Sequence, residues 1–228
     1  MSDQSAQMDP TAPPSAEHHE GGFRPMMEML AEEEAAAGKG LRGGVHYPEF
    51  IAQTRLAMDR VKAASPTDEQ ALAAIEKLKE LNDILADAEV DEWSVPSWLR
   101  HDLPARGNIT LPPYQVTGFS NTDGVRADLT FPRYTLGGNG AAHGGQIALV
   151  FDDLLGMTAA LSTGQVTRTA YITINYRSVT PILKPLKVAT SIDRIEGRKA
   201  FVRATMHDGE TLCCEADGLF IALRPGQA

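Results

Sequence analysis

The chain has 228 residues, 43% of them hydrophobic, and a formal net charge of −9, enough apolar mass for one domain of ordinary size plus an appendage. The charge is lopsided: residues 1–100 hold 9 basic and 19 acidic side chains (net −10), while residues 101–228 hold 12 and 11 (net +1). That balance offers no dense basic face for a nucleic acid, although a near-neutral second half with scattered arginines suits a polyanionic small molecule.

No run of about eighteen apolar residues suggests a membrane span. The first seven residues lack the basic and apolar stretches of a secretory signal, so a cytoplasmic protein is expected. Cys213 and Cys214 are the only cysteines. They are adjacent in a predicted strand, where successive side chains point to opposite faces, so two buried free thiols in a reducing compartment are expected.

In chain order, residues 1–22 are polar and rich in Pro, Ser, Glu and Gly, a composition that packs no core, and they read as a disordered tail. Residues 23–112 read as a helical extension and connector. Within it, Met26, Met27, Met29 and Leu30 precede an acidic, alanine-rich run that suits a short helix to residue 37. Gly38-Lys39-Gly40-Leu41-Arg42-Gly43-Gly44 lacks both the spacing and the Lys-Ser/Thr pair of a phosphate loop and reads as a linker.

Phe50, Ile51, Thr54, Ala57, Met58 and Val61 then recur at helical spacing over 47–64. Ser65 and Pro66 give a helix start, and Leu72, Ile75, Leu78, Leu81, Ile84 and Leu85 form one broad face of a second helix ending near 87. The two should pair as an antiparallel hairpin, either as a cover over apolar surface or as a lid or dimerisation element. Trp93, Pro96, Trp98 and Pro104 mark an irregular connector from 91 to 112.

Residues 113–228 read as the main domain. Runs at 114–119 and 125–131 alternate across Asn121-Thr122-Asp123-Gly124, a hairpin signal. Further alternating runs at 169–179, 186–195, 199–208 and 211–223 are separated by Pro181 and Pro185, Glu196-Gly197 and Asp208-Gly209. Between these two groups lies a long apolar segment. Two strands, one helix and four strands predict an α+β domain, an antiparallel sheet wrapped around a long central helix.

The stretch at 137–157 organises this domain. Gly137-Gly138-Asn139-Gly140-Ala141-Ala142-His143-Gly144-Gly145 is a glycine-dense turn, and the apolar helix that follows has Asp152 and Asp153 as its only charges. A carboxylate in such a helix is costly unless it is paired, hydrogen-bonded or used. At the other end, glycines at a helix start expose backbone N–H groups that have no intrahelical partner and suit a developing oxyanion. Gly144 and Asp152 are eight residues apart, or roughly 12 Å along one helix, too far to touch the same carbonyl carbon. Action on one substrate therefore needs a second copy of the helix, and a homodimer with interfacial sites is expected.

His143-Gly144-Gly145 with Asp152 nine residues after the His resembles the hotdog-fold acyl-CoA thioesterases of the PaaI-like, thioesterase-superfamily type. The resemblance continues through Thr169-Ala170-Tyr171-Ile172-Thr173-Ile174-Asn175-Tyr176-Arg177, Thr180-Pro181-Ile182, Glu196-Gly197-Arg198-Lys199 and Glu215-Ala216-Asp217-Gly218-Leu219-Phe220. It spans residues 113–224. It implies hydrolysis of a medium- to long-chain fatty acyl-CoA to the free acid and coenzyme A, without metal or cofactor, in a homodimer or a dimer of dimers.

On that pattern Asp152 is the nucleophile or the general base, with Asp153 as its competitor; the N–H of Gly144 is the oxyanion donor, with Gly145 beside it. His143 positions or polarises the thioester carbonyl, and Thr169 orients the attacking water. Asn139 falls near a carbonyl-binding amide of many relatives but sits only four residues ahead of the His. Arg177, Arg198 and Lys199 are candidates to meet the phosphates of coenzyme A. A hotdog hydratase or dehydratase is an alternative, but that group places Asp, Asn and Pro ahead of its His where this chain has Gly140-Ala141-Ala142. A non-catalytic acyl-CoA-binding protein is another.

Overall fold

The structure, a computed structural model, describes residues 42–120 and 122–224. The tail expected over 1–22, the short helix expected to end at 37 and the first part of the 38–44 linker lie outside the described residues. Helices α1 (Tyr47–Ala63) and α2 (Asp68–Ala86) lead through a connector with two 3-10 turns, Pro96–Trp98 and Pro104–Gly107, into strands β1 (Gln115–Ser120) and β2 (Gly124–Thr130). A further 3-10 turn (Arg133–Thr135), short strands β3 (Leu136–Gly138) and β4 (Ala141–Ala142) and helix α3 (Gly144–Thr163) follow. Strands β5 (Thr167–Tyr176), β6 (Pro185–Glu196), β7 (Lys199–Asp208) and β8 (Thr211–Ala222) complete the chain.

Six strands form one sheet in the order β1-β2-β6-β7-β8-β5, with every neighbouring pair antiparallel. The sheet wraps α3, which packs against β2, β5, β6, β7 and β8. The expected α+β architecture is therefore present, with β5 at one edge of the sheet. β3 and β4 form a separate small ladder that strand periodicity did not foreshadow, because each is too short to show alternation.

Alternation explains how the sheet presents an apolar face to the helix. Val125, Ala127 and Leu129 on β2, Leu186 and Val188 on β6, and Ala200, Val202, Ala204 and Met206 on β7 are all buried. Several of these are small, so α3 sits close. Gly156 and Gly218 flank the Phe220 ring: a Cβ on Gly156 would lie 3.3 Å from it and one on Gly218 3.0 Å. Val150, Phe151, Leu154 and Leu155 fill the space above. By length and composition α3 is the one helix among the described residues that is apolar enough to cross a membrane, and its enclosure by the sheet accounts for that apolarity.

Cys213 and Cys214 are both buried and both free. Strict alternation would expose one of them. The pairing of β7 with β8 shifts register beside them, from Met206 opposite Cys214 to His207 opposite Leu212, and this bulge turns both thiols inward.

Two expectations for the extension need correction. Helix α2 is capped by Thr67 rather than Ser65: the Thr67 hydroxyl accepts from the Gln70 N–H at 3.2 Å and the Gln70 side chain accepts from the Thr67 N–H at 3.0 Å. Pro66 immediately precedes that box. Nor do the helices form a packed hairpin, since α2 buries none of its residues. Helix α1 is the part that docks: Ile51 is buried, and Asp59 accepts from the Tyr134 N–H at 2.8 Å.

Candidate active site

The site begins at the turn between β3 and β4, where Asn139 (φ 48) and Gly140 (φ 75) adopt left-handed conformations and stand exposed. The chain then folds tightly onto the helix start. A Cβ at Gly137 would come within 2.8 Å of the His143 Cα, so only glycine permits this approach. His143 caps α3, with its own N–H donating to the Thr135 carbonyl at 2.8 Å and its Nδ1 accepting from the Gly145 N–H at 3.0 Å.

That last bond has two consequences. A nitrogen that accepts an N–H carries a lone pair, so the neutral ring holds its proton on Nε2, which is left free to donate. The Gly145 N–H is in turn engaged by the imidazole, so of the two glycine donors Gly144 is the one without a partner at the helix start. Gly144, the first residue of the helix, has no carbonyl one turn back to receive its N–H. Tyr176 on β5 covers it, donating its hydroxyl to the Gly144 carbonyl at 3.0 Å, and its Oη would lie 3.1 Å from a Cβ at Gly144.

Asp152 lies two turns further along, on the exposed side of α3 that faces β5. The Thr169 hydroxyl donates to Asp152 Oδ1 at 2.8 Å. A bulge makes this meeting possible. From Ile172, Ile174 and Tyr176, which face the helix, strict alternation would put Thr169 on the opposite face. The register with β8 shifts between Thr169 and Tyr171, leaving Ala170 extra, so Thr169 pairs with the core residue Phe220 and turns toward the helix.

Asp153, one step and about 100° around the helix, is spoken for. Arg106 in the connector donates Nη2 to both of its oxygens, at 3.0 and 3.1 Å, and Nη1 to the Tyr114 hydroxyl at 2.8 Å. Tyr114 in turn donates its hydroxyl to Asp153 Oδ2. Burial raises the Tyr114 phenol well above the ordinary tyrosine value and the Asp153 charge pushes the same way, so it remains a donor. Burial, the largest single influence, would lower the Arg106 guanidinium, but Asp153 and Tyr114 together outweigh it and hold Arg106 above the ordinary arginine value. The question of which aspartate is committed elsewhere thus has a structural answer.

The basic candidates do not come together. Arg177 follows the end of β5 beside Tyr176 and donates Nε to Glu215 at 3.0 Å. Arg198 donates Nη1 to the Ala222 carbonyl at 2.9 Å, and Ala222 pairs with Thr167 at the other end of β5. Ten residues of strand, roughly 30 Å, separate the two in one protomer. Lys199 is exposed beside Arg198, at the Thr169 end. Sequence reasoning missed Tyr176, Arg106 and Tyr114. Tyr176 stands within the Thr169-to-Arg177 run and Tyr114 opens the alternating 114–119 run, whereas Arg106 in the connector has no periodicity to mark it.

Comparison with known proteins agrees with this fold. Residues 139–215 match the family model of the Thioesterase superfamily. The chain is 43% identical over 88 residues to acyl-coenzyme A thioesterase THEM4 of Mus musculus, covering 38% of this chain and 37% of that protein. It is 35% identical over 111 residues to THEM4 of Bos taurus, covering 47% and 45%. The chain thus spans less than half the length of these relatives. A crystal structure of a thioesterase superfamily protein shares its fold with a TM-score of 0.66 at 24% identity, over 78% of this chain and 96% of the other.

Proposed function

From the match of residues 139–215 to the Thioesterase superfamily model, we propose that this hotdog-fold protein hydrolyses the thioester of a medium- to long-chain fatty acyl-CoA, as a cytoplasmic homodimer. The observation that carries the reading is the Asp152 carboxylate, held by the Thr169 hydroxyl at 2.8 Å on an exposed face, while its neighbour Asp153 is tied to Arg106. One carboxylate is thereby left open to a substrate.

The chemistry follows from the groups. Asp152 attacks the acyl carbon directly or draws a proton from a water that does, and the Thr169 hydroxyl fixes its orientation. Negative charge moving onto the carbonyl oxygen is met by the Gly144 N–H at the positive end of α3 and by the His143 Nε2–H. The carbon–sulfur bond then breaks. Coenzyme A departs as a thiolate, which needs little acid assistance; on the direct route the acyl group is left on Asp152 as a mixed anhydride that a water then hydrolyses to the free acid, and on the water route the acid forms at once.

Dimerisation completes the site. β5 is an edge strand carrying exposed Tyr171 and Tyr176, with unpaired backbone groups along its outer side. Antiparallel pairing of β5 with a second copy about a two-fold axis would set the Tyr176–Gly144 end of one protomer beside the Thr169–Asp152 end of the other. That arrangement supplies the second helix which the spacing of Gly144 and Asp152 requires. Arg198 and Lys199, at the Thr169 end, are then candidates for the coenzyme A phosphates.

The test is thiol release from acyl-CoAs of short, aromatic and long chain by the parent and by Asp152→Ala. We expect turnover on the longer chains and a loss of about 10²–10⁴-fold in kcat in a variant that still folds and elutes as a dimer. Equal turnover by both proteins would overturn the role of Asp152; no turnover by the parent would overturn the reaction.

A further inference from the structure

The proposed chemistry uses Asp152, yet the more elaborate constellation surrounds Asp153. Arg106, Tyr114 and Asp153 form a closed triangle in which each side chain contacts the other two. Little of it meets solvent: the Arg106 side chain is 12% exposed and that of Asp153 26%, while Tyr114 is buried.

The connector holds an uncommon backbone to reach this point. Ala105 (φ 47, ψ 35) and Arg106 (φ 56, ψ 21) are successive left-handed residues with side chains, and Gly107 continues the run at φ 76. Such conformations persist only where the surroundings over-determine them. Here the Ala105 N–H donates to the Tyr114 carbonyl at 2.7 Å, closing the loop on itself. From the other side Arg55 of α1 donates Nη2 to the carbonyls of Pro104 at 3.1 Å and Asn108 at 3.0 Å, straddling the strained turn. A continuous set of directional contacts thus runs from α1 through the connector to the helix that bears Asp152.

We propose that Arg106 and Tyr114, braced by Arg55, are positioning residues that fix the rotation of α3 about its axis and so aim Asp152 at Thr169. The proposal deepens the thioesterase reading of Asp152 and rests on it. Most of what α3 touches is apolar, and apolar burial is non-directional. The capping at His143, the Tyr176–Gly144 hydrogen bond and the buried Thr158–Thr190 hydroxyl pair act at other turns of the helix, whereas the Asp153 triangle holds the residue next to Asp152. A helix rotation of about 20° would move a side-chain tip at a radius of about 5–6 Å by roughly 2 Å. An error of that size separates a reacting carboxylate from its acyl carbon. The first helix and connector are then a brace for the catalytic helix.

The test uses the full chain with Arg106→Met, Tyr114→Phe, Asp153→Asn and the conservative Arg106→Lys. On the best acyl-CoA, kcat should fall about 10–100-fold in Arg106→Met and Asp153→Asn while KM stays within about threefold, with partial recovery in Arg106→Lys. A purely structural role is separated by the double variant Arg106→Met/Asp153→Leu, in which apolar packing replaces the ion pair and stability is kept. Low kcat in a double variant with the parent's Tm supports positioning; parental kcat overturns it. A crystal structure of Arg106→Met gives a readout free of turnover, and should show the 2.8 Å Thr169–Asp152 contact broken. If that contact and kcat both survive, the proposal falls. Were the parent inactive on every thioester, the reaction assignment would fail instead, and the contact in the variant would still decide the positioning.

Discussion

Helices α2 and α3 are nearly the same length, 19 and 20 residues, and both carry a broad apolar face. Their fates differ completely. Helix α3 is enclosed by five strands of the sheet, with Phe151, Leu154 and Leu155 at 0% exposure. Helix α2 buries nothing, and Leu72 and Ile84 stand 65% and 70% exposed. Amphipathicity states that a face favours cover but not what covers it. What distinguishes the two in physical terms is the rest of the sequence around them: α3 lies between strands whose inward faces are apolar, whereas α2 hangs between a four-residue link and an irregular connector.

The largest effect expected from this contrast comes from truncating the enclosed helix. Phe151→Ala should cost about 3–5 kcal/mol in chemical denaturation, because the cradle of β-strands cannot collapse around the void. A cost below about 1 kcal/mol would mean that the sheet closes onto the helix loosely, and that the apolar contacts of α3 are not what hold the domain together.

Much of this was legible in the sequence, and the illegible parts have identifiable causes. The alternating runs gave all six strands of the sheet to within a few residues, because each has one face on a core and one in water. The glycine-dense start of α3 and the capping His143 were equally readable, since both are local. Thr169 is a different matter. Its aim toward Asp152 depends on a bulge at Ala170, and alternation alone would have turned it away. The division of labour between Asp152 and Asp153 was also beyond local reading: the partner that takes Asp153 is 47 residues away, in a left-handed turn without periodicity. The hairpin expected of α1 and α2 is absent because an apolar stripe does not name its own partner. The engagement of the Gly145 N–H by the imidazole two residues earlier is likewise a side-chain contact that glycine spacing does not reveal.

The buried thiols sharpen the contrast through pH. Burial pushes the Cys214 thiol up to about 11, and raises Cys213 as well. A raised folded-state value stabilises the fold fully below the unfolded thiol value of about 8.5, and the contribution is lost as pH climbs toward 11. Denaturant midpoints should therefore fall between about pH 8.5 and pH 11 in the parent, and less steeply in Cys214→Ala, once the constant cost of the lost packing is subtracted. Thiol-specific alkylation at pH 8 should be negligible in the native protein and complete on unfolding. Rapid labelling of the native chain would mean that the core beneath β8 opens far more readily than the packing of α3 implies.

The smallest effect should come from the exposed helix. Leu78→Ala on α2 removes as much side chain as a damaging core truncation, yet with nothing described against it the change should stay within about 0.5 kcal/mol in chemical denaturation. The residue keeps good helix propensity, so α2 itself should remain intact. The same measurement on Leu72→Ala and Leu85→Ala extends the test along the apolar face. A loss above about 2 kcal/mol at any of them is the magnitude of a covered site. It would show that α2 is covered in solution, and dependence of that loss on protein concentration would identify the cover as a second copy of the chain. A loss independent of concentration would instead place the cover within the same chain, and the apparent difference between the two helices would disappear.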